Sequence, residues 1–326
     1  MVRARITGTG SAVPEKLLTN YDLERLVDTT DEWITTRTGI KERRIAADGE
    51  YTSTFATKAA ERALEMAGVS PNELDLIILA TITPDFPFPA TACLVQNNLK
   101  AQKAAAYDIA AACSGFIYGL SQADNAIRCG SARKVLVIGA EVLTRIVDWT
   151  DRNTCLLFGD GAGAAVVETV EGNRGILSTH LHSDGSHWEL LYQPGCGSRN
   201  PAVQKTLDDR QVFLKMQGNE VFKLAVRAME DAALEALTAN GLNPSEIDFF
   251  IPHQANRRII DAIGKRLGLC DDKVYVNLDR YGNTSAASIP IALDEANRTG
   301  RIKEEDVVLL DAFGGGLTWG SALVRW

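Results

Sequence analysis

Apolar residues fall along this chain in two rhythms. Leu76-Ile77-Ile78-Leu79-Ala80 and Val135-Leu136-Val137-Ile138-Gly139-Ala140 are solid runs too short for helices, and they read as buried strands. Between Ser53 and Gly68 the apolar positions are Phe55, Ala59, Ala63 and Met66, which is helical spacing, with Gly68 where a C-cap belongs and Pro71 beyond it. Phe222, Val226, Met229, Ala233 and Leu237 make a second helical stripe. Arg5 to Thr9 reads as a first strand, closed by the turn Gly10 to Pro14. In Ala104 to Leu120, small residues lead up to Cys113, Ser114-Gly115 permit a turn, and an apolar run opens a helix ending near Gly130. This strand–turn–helix sets Cys113 near a helix N-terminus, where unpaired N–H groups and the helix dipole favour the thiolate. Taken alone, a free buried cysteine behaving as a small hydrophobe is the more ordinary reading.

Other stretches are less regular. Asp31 to Ile40 reads as a capped surface helix followed by the basic cluster Lys41 to Arg44, and its Trp33 either packs on the body or stacks a purine beside arginines. Thr83 to Pro89 is a stiff loop of prolines and aromatics. Gly159 to Gly163 lacks the G-x-G-x-x-G spacing and runs into Ala164-Ala165-Val166-Val167, so it reads as a glycine loop allowing close backbone approach rather than a dinucleotide site. Tyr192 to Leu214 carries no readable pattern.

One repeat organises the whole. Ala60-x-x-Ala63-Leu64, followed by Gly68 to Ile78, returns as Ala233-x-x-Ala236-Leu237, followed by Gly241 to Ile251. A repeat of that length predicts two copies of one α/β half about a pseudo-twofold axis, residues 1–173 and 174–326. The second-half counterpart of the cysteine turn falls in Asp279 to Ser288 and presents Asn283, while Ala80 at a strand end corresponds to His253. Strand ends of α/β sheets collect sites, so Cys113, His253 and Asn283 are expected to converge. His180, His182 and His187 lie in a polar stretch and are expected on the surface or in loops.

Composition narrows the class. The 326 residues are 45% apolar and 23% charged, a globular balance, and the net charge of −8 argues against general nucleic-acid binding. Six cysteines without C-x-x-C spacing suit reduced thiols, and no N-terminal leader or membrane-length apolar run is evident. A cytoplasmic chain with no membrane association and no metal site is expected.

With these residues in hand, the chain resembles the β-ketoacyl-acyl-carrier-protein synthase III family of the thiolase-like superfamily over nearly its whole length. The resemblance lies in Asp31 with Arg37 to Ile40, Ala110 to Phe116, Phe158 to Gly163, Pro252 to Asn256, Gly282 to Ala286 and Phe313 to Gly316. It implies a thiolase-like α/β fold, two pseudo-twofold halves in αβαβα layers, and decarboxylative Claisen condensation of an acyl-CoA primer with malonyl-acyl-carrier protein. Cys113 is then the acyl-accepting nucleophile, with the N–H groups of Cys113 and Gly315 as oxyanion hole, and His253 and Asn283 as donors to the malonyl thioester carbonyl. Trp33 and Arg152, with Arg37 and Thr38 nearby, correspond to the adenine contacts of CoA; Gly218, Phe222, Ala255 and Asn256 correspond to the pantetheine tunnel. Phe222 is equally readable as plain core. Phe88, Leu143 and Phe158 correspond to the acyl pocket, Phe88 reaching across a homodimer to its partner or, alternatively, anchoring its own loop. Arg257, Arg258, Lys265 and Arg266 form a patch suited to an acidic carrier protein, or a merely solvated helix face. The resemblance implies no cofactor beyond the CoA thioester as substrate. Leu317 replaces a phenylalanine common in the family. The alternatives are a condensing enzyme with longer or branched primers or one of secondary metabolism, and a non-catalytic acyl-CoA or carrier-protein binding module.

Overall fold

A computed structural model describes residues 2–326. The chain opens on β1 (Val2–Ala12), then a short antiparallel pair, β2 (Leu17–Thr19) and β3 (Glu42–Arg44), brackets helices α1 (Asn20–Leu23) and α2 (Asp31–Thr38). There follow α3 (Thr52–Ala67), β4 (Leu76–Ala80), α4 (Thr91–Leu99), β5 (Ala105–Ile109), α5 (Gly115–Arg128), β6 (Lys134–Val142) and β7 (Asp160–Glu171). The large strands form a five-stranded sheet in the order β1-β7-β6-β4-β5.

The remainder runs through β8 (Gly175–Ser183) and the short pair β9 (Leu191–Tyr192) and β10 (Lys215–Met216), with α6 (Gln204–Asp208) between them. Then come α7 (Gly218–Ala239), β11 (Phe249–Pro252), α8 (Arg257–Arg266), α9 (Leu278–Tyr281), α10 (Ser288–Arg298), β12 (Val307–Gly314) and β13 (Thr318–Arg325). Their sheet has the order β11-β12-β13-β8.

Strand alternation sorts the apolar side chains into layers. Ile77, Leu79, Leu136 and Ile138 pack against α3 and α4, whereas Ile78, Val135 and Val137 face the opposite way, onto α5 and α10. From the second sheet, Val308, Leu310 and Ala312 meet that same central layer, and Leu309 and Phe313 face α7 and α8. The stack is therefore helix, sheet, helix, sheet, helix, as expected of a thiolase-like fold. Among the described residues no helix is long and apolar enough to cross a membrane.

The 173-residue offset recurs in detail. The 3-10 turns Pro71–Glu73 and Pro244–Glu246 carry the same capping box, Ser70 with Glu73 and Asn243 with Glu246. The turns Ala112–Ser114 and Ser285–Ala287 each begin on a residue in the left-handed region, Ala112 at φ 43° and Ser285 at φ 48°.

Several expectations need correction. The segment expected as a glycine loop is strand from Asp160 on; a Cβ at Gly163 would stand 2.6 Å from the Ile291 backbone nitrogen, so bare glycine lets β7 lie against α10. The first strand runs well beyond Arg5 to Thr9, because it pairs along its length with β7. His180 and His182 are half-buried on β8, paired with Glu235 at 3.2 and 2.6 Å, rather than in a loop; His187 is exposed. The stretch Tyr192 to Leu214 is an excursion closed by the β9–β10 pair and holding α6.

Candidate functional site

Cys113, His253 and Asn283 face one cavity of about 840 Å³; the first two follow the strands β5 and β11, whereas Asn283 follows the short helix α9 where a strand was expected, held there by its bridge to Phe158. All three are buried. Cys113 sits in the Ala112–Ser114 turn that links β5 to α5. The end of β12 presses on this turn, for a Cβ at Gly314 would fall 2.6 Å from the Cys113 nitrogen.

Asn283 is locked by its backbone. Its N–H donates to the Leu157 carbonyl (2.8 Å) and its carbonyl accepts from the Gly159 N–H (3.0 Å). Its side-chain Oδ1 accepts from the Ser285 N–H at 2.8 Å, which leaves the amide NH₂ to donate.

His253 follows β11, and its Nδ1 lies 2.6 Å from Ser288 Oγ. That oxygen also accepts from the Gln254 N–H at 3.4 Å, and the serine O–H has no other acceptor among the described residues, so it donates to Nδ1 and the network assigns the imidazole proton to Nε2. Burial lowers the His253 pKa to about 3, so the ring is neutral at neutral pH.

The cysteine departs from expectation. Burial pushes its thiol up to about 12, with a smaller raising effect from Glu141 and an opposing one from Ser285. Burial thus favours the neutral thiol over the thiolate.

The same cavity leads outward past the residues compared above with CoA contacts. Arg152 lies 4.3 Å over the Trp33 ring and Arg37 5.7 Å from its centroid. Gly218 and Phe222 at the start of α7, and Ala255 and Asn256 at the start of α8, line it too. Asn256 caps α8 through the Arg258 N–H (2.9 Å) and donates to the Arg37 carbonyl (3.3 Å). Thr38 also lines the cavity, but its hydroxyl is spent on α2: it donates to the Ile34 carbonyl (2.7 Å) and accepts from the Ile40 N–H (3.0 Å).

Behind Cys113 opens a second cavity of about 650 Å³, walled by Leu143, Phe158, Ile146, Leu191 and Leu214 and by the 81–87 loop. Gly315 borders it. Phe88 stands clear of both cavities and is 84% exposed. Of the basic patch on α8, Arg257 pairs with Asp261 (2.5 Å) and Arg266 with Glu230, while Arg258 stands 5.4 Å from the Phe222 centroid and, with Lys265, has no ion-pair partner among the described residues.

Sequence reasoning passed over Ser285, Ser288 and Glu141. Ser285 lay inside the Gly282 to Ala286 motif, and Glu141 directly follows the Val135 to Ala140 run. A carboxylate ending a fully apolar strand was the available signal.

Comparison with known proteins shows the family. Two family models match, 3-oxoacyl-[acyl-carrier-protein] synthase III over residues 107–185 and its C-terminal domain over 237–326. A β-ketoacyl-[acyl-carrier-protein] synthase III of Caldanaerobacter subterraneus is 58% identical over 100% of this chain and 98% of its own. One of Desulfitobacterium hafniense is 56% identical over the same shares. The crystal structure of 3-oxoacyl-[acyl-carrier-protein] synthase III from Aquifex aeolicus superposes with a TM-score of 0.93 at 54% identity, covering 99% of this chain and 100% of that one.

Proposed function

Because the chain belongs to the β-ketoacyl-acyl-carrier-protein synthase III family, we propose that it joins an acyl-CoA primer, acetyl-CoA foremost, to malonyl-acyl-carrier protein and so initiates fatty acid synthesis. The observation that carries this reading is the single cavity holding a thiol, a neutral imidazole and a free amide NH₂.

The primer enters along the outer cavity. Its adenine is held by Trp33 and Arg152, and a guanidinium 4.3 Å over the indole leaves no room for a third ring, so Arg152 swings out as the purine stacks. The pantetheine arm passes between Phe222 and Asn256 to Cys113. Sulfur attacks the thioester carbonyl, and the N–H groups of Cys113 and Gly315 receive the oxyanion. Among the described residues neither N–H is donated to a backbone carbonyl outside helices and strands, which supports that use. The acyl chain then occupies the second cavity, against Leu143 and Phe158.

After CoA departs, the malonyl group takes its place. His253 Nε2–H and the Asn283 NH₂ donate to its thioester oxygen as carbon dioxide leaves, and the carbanion attacks the acyl-cysteine. Two neutral donors suit this step: a histidine with a pKa of about 3 stabilises an enolate without protonating it. Arg258 and Lys265 receive the acidic carrier protein, and Phe88 floors the partner's acyl cavity in a homodimer.

The test is the mass of the protein after mixing with acetyl-CoA. A single acetyl adduct on Cys113, absent from C113A, is expected; an adduct retained by C113A would overturn the reading, and the absence of any adduct would favour a binding module.

A further inference from the structure

We infer that Glu141, reached through the Ser285 hydroxyl, accepts the Cys113 proton during acylation. The inference rests on the acyl-accepting role proposed above for Cys113. That role leaves a gap, because a thiol must lose its proton as it attacks and His253 cannot take it: Nδ1 is engaged by Ser288 and Nε2 already bears hydrogen.

Glu141 lies near the end of β6 and is fully buried. It shares a strand face with Gly139, whose Cβ, if present, would stand 2.1 Å from the Ala286 carbonyl oxygen, so this face abuts the Ser285–Ala287 turn. Three donors converge on Oε2: Thr83 Oγ1 at 2.5 Å, Thr81 Oγ1 at 3.1 Å and the Ile82 N–H at 3.2 Å. Oε1 has only a long contact to that same N–H, at 3.3 Å, and is the oxygen with room for a proton. No cation pairs with the carboxylate among the described residues.

Ser285 lies between the two groups. It is 1% exposed, and its oxygen is buried without a hydrogen-bond partner within ordinary limits. It lines the second cavity beside Cys113, and its turn lies against the strand face that carries Glu141, with Ala286 pressed on Gly139; its hydroxyl also lowers the pKa of both groups. Its backbone N–H donates to Asn283 Oδ1.

The charges favour one proton shared across this line. Burial raises the Glu141 carboxyl to about 7, the range of an effective base at neutral pH. Its charge in turn raises the thiol, so thiolate and carboxylate oppose each other, whereas a proton moved from sulfur to carboxyl keeps one negative charge throughout. The groups facing Glu141 are otherwise neutral: Thr81, Ile82 and Thr83 on the loop, Gly161 across the ladder, and Ser285. Asp160 and Asp108 on the flanking strands turn elsewhere, to Thr144 and Ala46 and to Thr91 and Ala92.

The step balances. The Cys113 proton passes to Ser285 Oγ while the serine proton passes to Glu141, and the sulfur lone pair forms the bond to the thioester carbon. When the tetrahedral intermediate collapses, the pair of the breaking carbon–sulfur bond leaves with the CoA sulfur. That sulfur takes the proton back along the same path.

The experiment follows acetyl transfer from acetyl-CoA to Cys113 by rapid-quench mass spectrometry from pH 5.5 to 9, in wild type, E141Q, S285A and the double variant. The wild-type rate is expected to rise through an inflection near 7, the value to which burial brings Glu141. E141Q and S285A are each expected to lose about 10²-fold, to lose that inflection and, combined, to lose no more than either alone. Malonyl-carrier-protein decarboxylation, which uses His253 and Asn283, reports whether the variants are folded. A proton inventory on the wild type needs no variant at all, and a curve requiring two protons in flight is expected. E141Q acylating at the wild-type rate or faster, E141Q keeping the inflection, or a linear inventory would each overturn the relay. If the wild type takes no acetyl group, the failure lies with the acylation reading instead.

Discussion

At the scale of single residues, the site sets each ionisable group by burial rather than by charge pairing. Asn283 is oriented by its own backbone neighbour: with Oδ1 tied to the Ser285 N–H, only the NH₂ is offered to substrate. N283A is therefore expected to accept acetyl from acetyl-CoA as the wild type does while losing malonyl decarboxylation by about 10²- to 10³-fold, as removal of one oxyanion donor does elsewhere. Measuring carbon dioxide release beside the acetyl adduct separates the two half-reactions. His253 adds a dependence on acid. Its folded pKa of about 3 lies below its unfolded value of 6.5, so the unfolded chain binds the extra proton and folding loses stability as pH falls from about 6.5 towards 3. The denaturant midpoint of the wild type is expected to drop over that window more steeply than that of H253Q; equal slopes would show that the ring is not held neutral.

At the scale of elements, the same α8 that begins at the cavity rim with Asn256 and Arg258 carries the basic patch. Two of its four cations are already matched by carboxylates on the protein, which leaves Arg258 and Lys265 for a partner. Lys265 stands away from the CoA cavity, so K265E isolates docking from primer binding. It is expected to raise the KM for malonyl-carrier protein about tenfold, more at low salt, while acetyl transfer from acetyl-CoA is unchanged. Equal losses in both reactions would show that the residue supports α8 and not the carrier protein.

At the scale of the whole molecule, the 81–91 loop is held to its own chain at several points, among them Glu141, Thr52 and Ser53, yet it projects Phe86 and Phe88 into solvent. A firmly anchored loop with an 84% exposed aromatic tip suits the homodimer contact proposed for Phe88. F88A is expected to leave acetyl transfer nearly intact and to broaden acceptance of longer primers, measured over a ladder of acyl-CoAs, while sedimentation shows the wild type as a dimer. A monomeric wild type would remove the partner's cavity as the target of this residue.

The sequence by itself determined the pieces that depend on local rhythm. The strand runs at 76–80 and 135–140, the helix from 52 to 67, the cysteine turn and the 173-residue repeat were legible because apolar periodicity and turn chemistry act over a few residues. The repeat also foretold that Cys113, His253 and Asn283 would share a cavity, although Asn283 reaches it from the end of α9 and not from a strand. Only the tertiary structure decided what that cavity does to its occupants. The helix end near Cys113 argued for a thiolate, but burial against segments distant in sequence, Gly314 among them, raises the thiol instead. Glu141 acquires a chemistry only because Ser285, 144 positions distant, is folded against it, and a pKa set by three-dimensional burial leaves no trace in the order of residues.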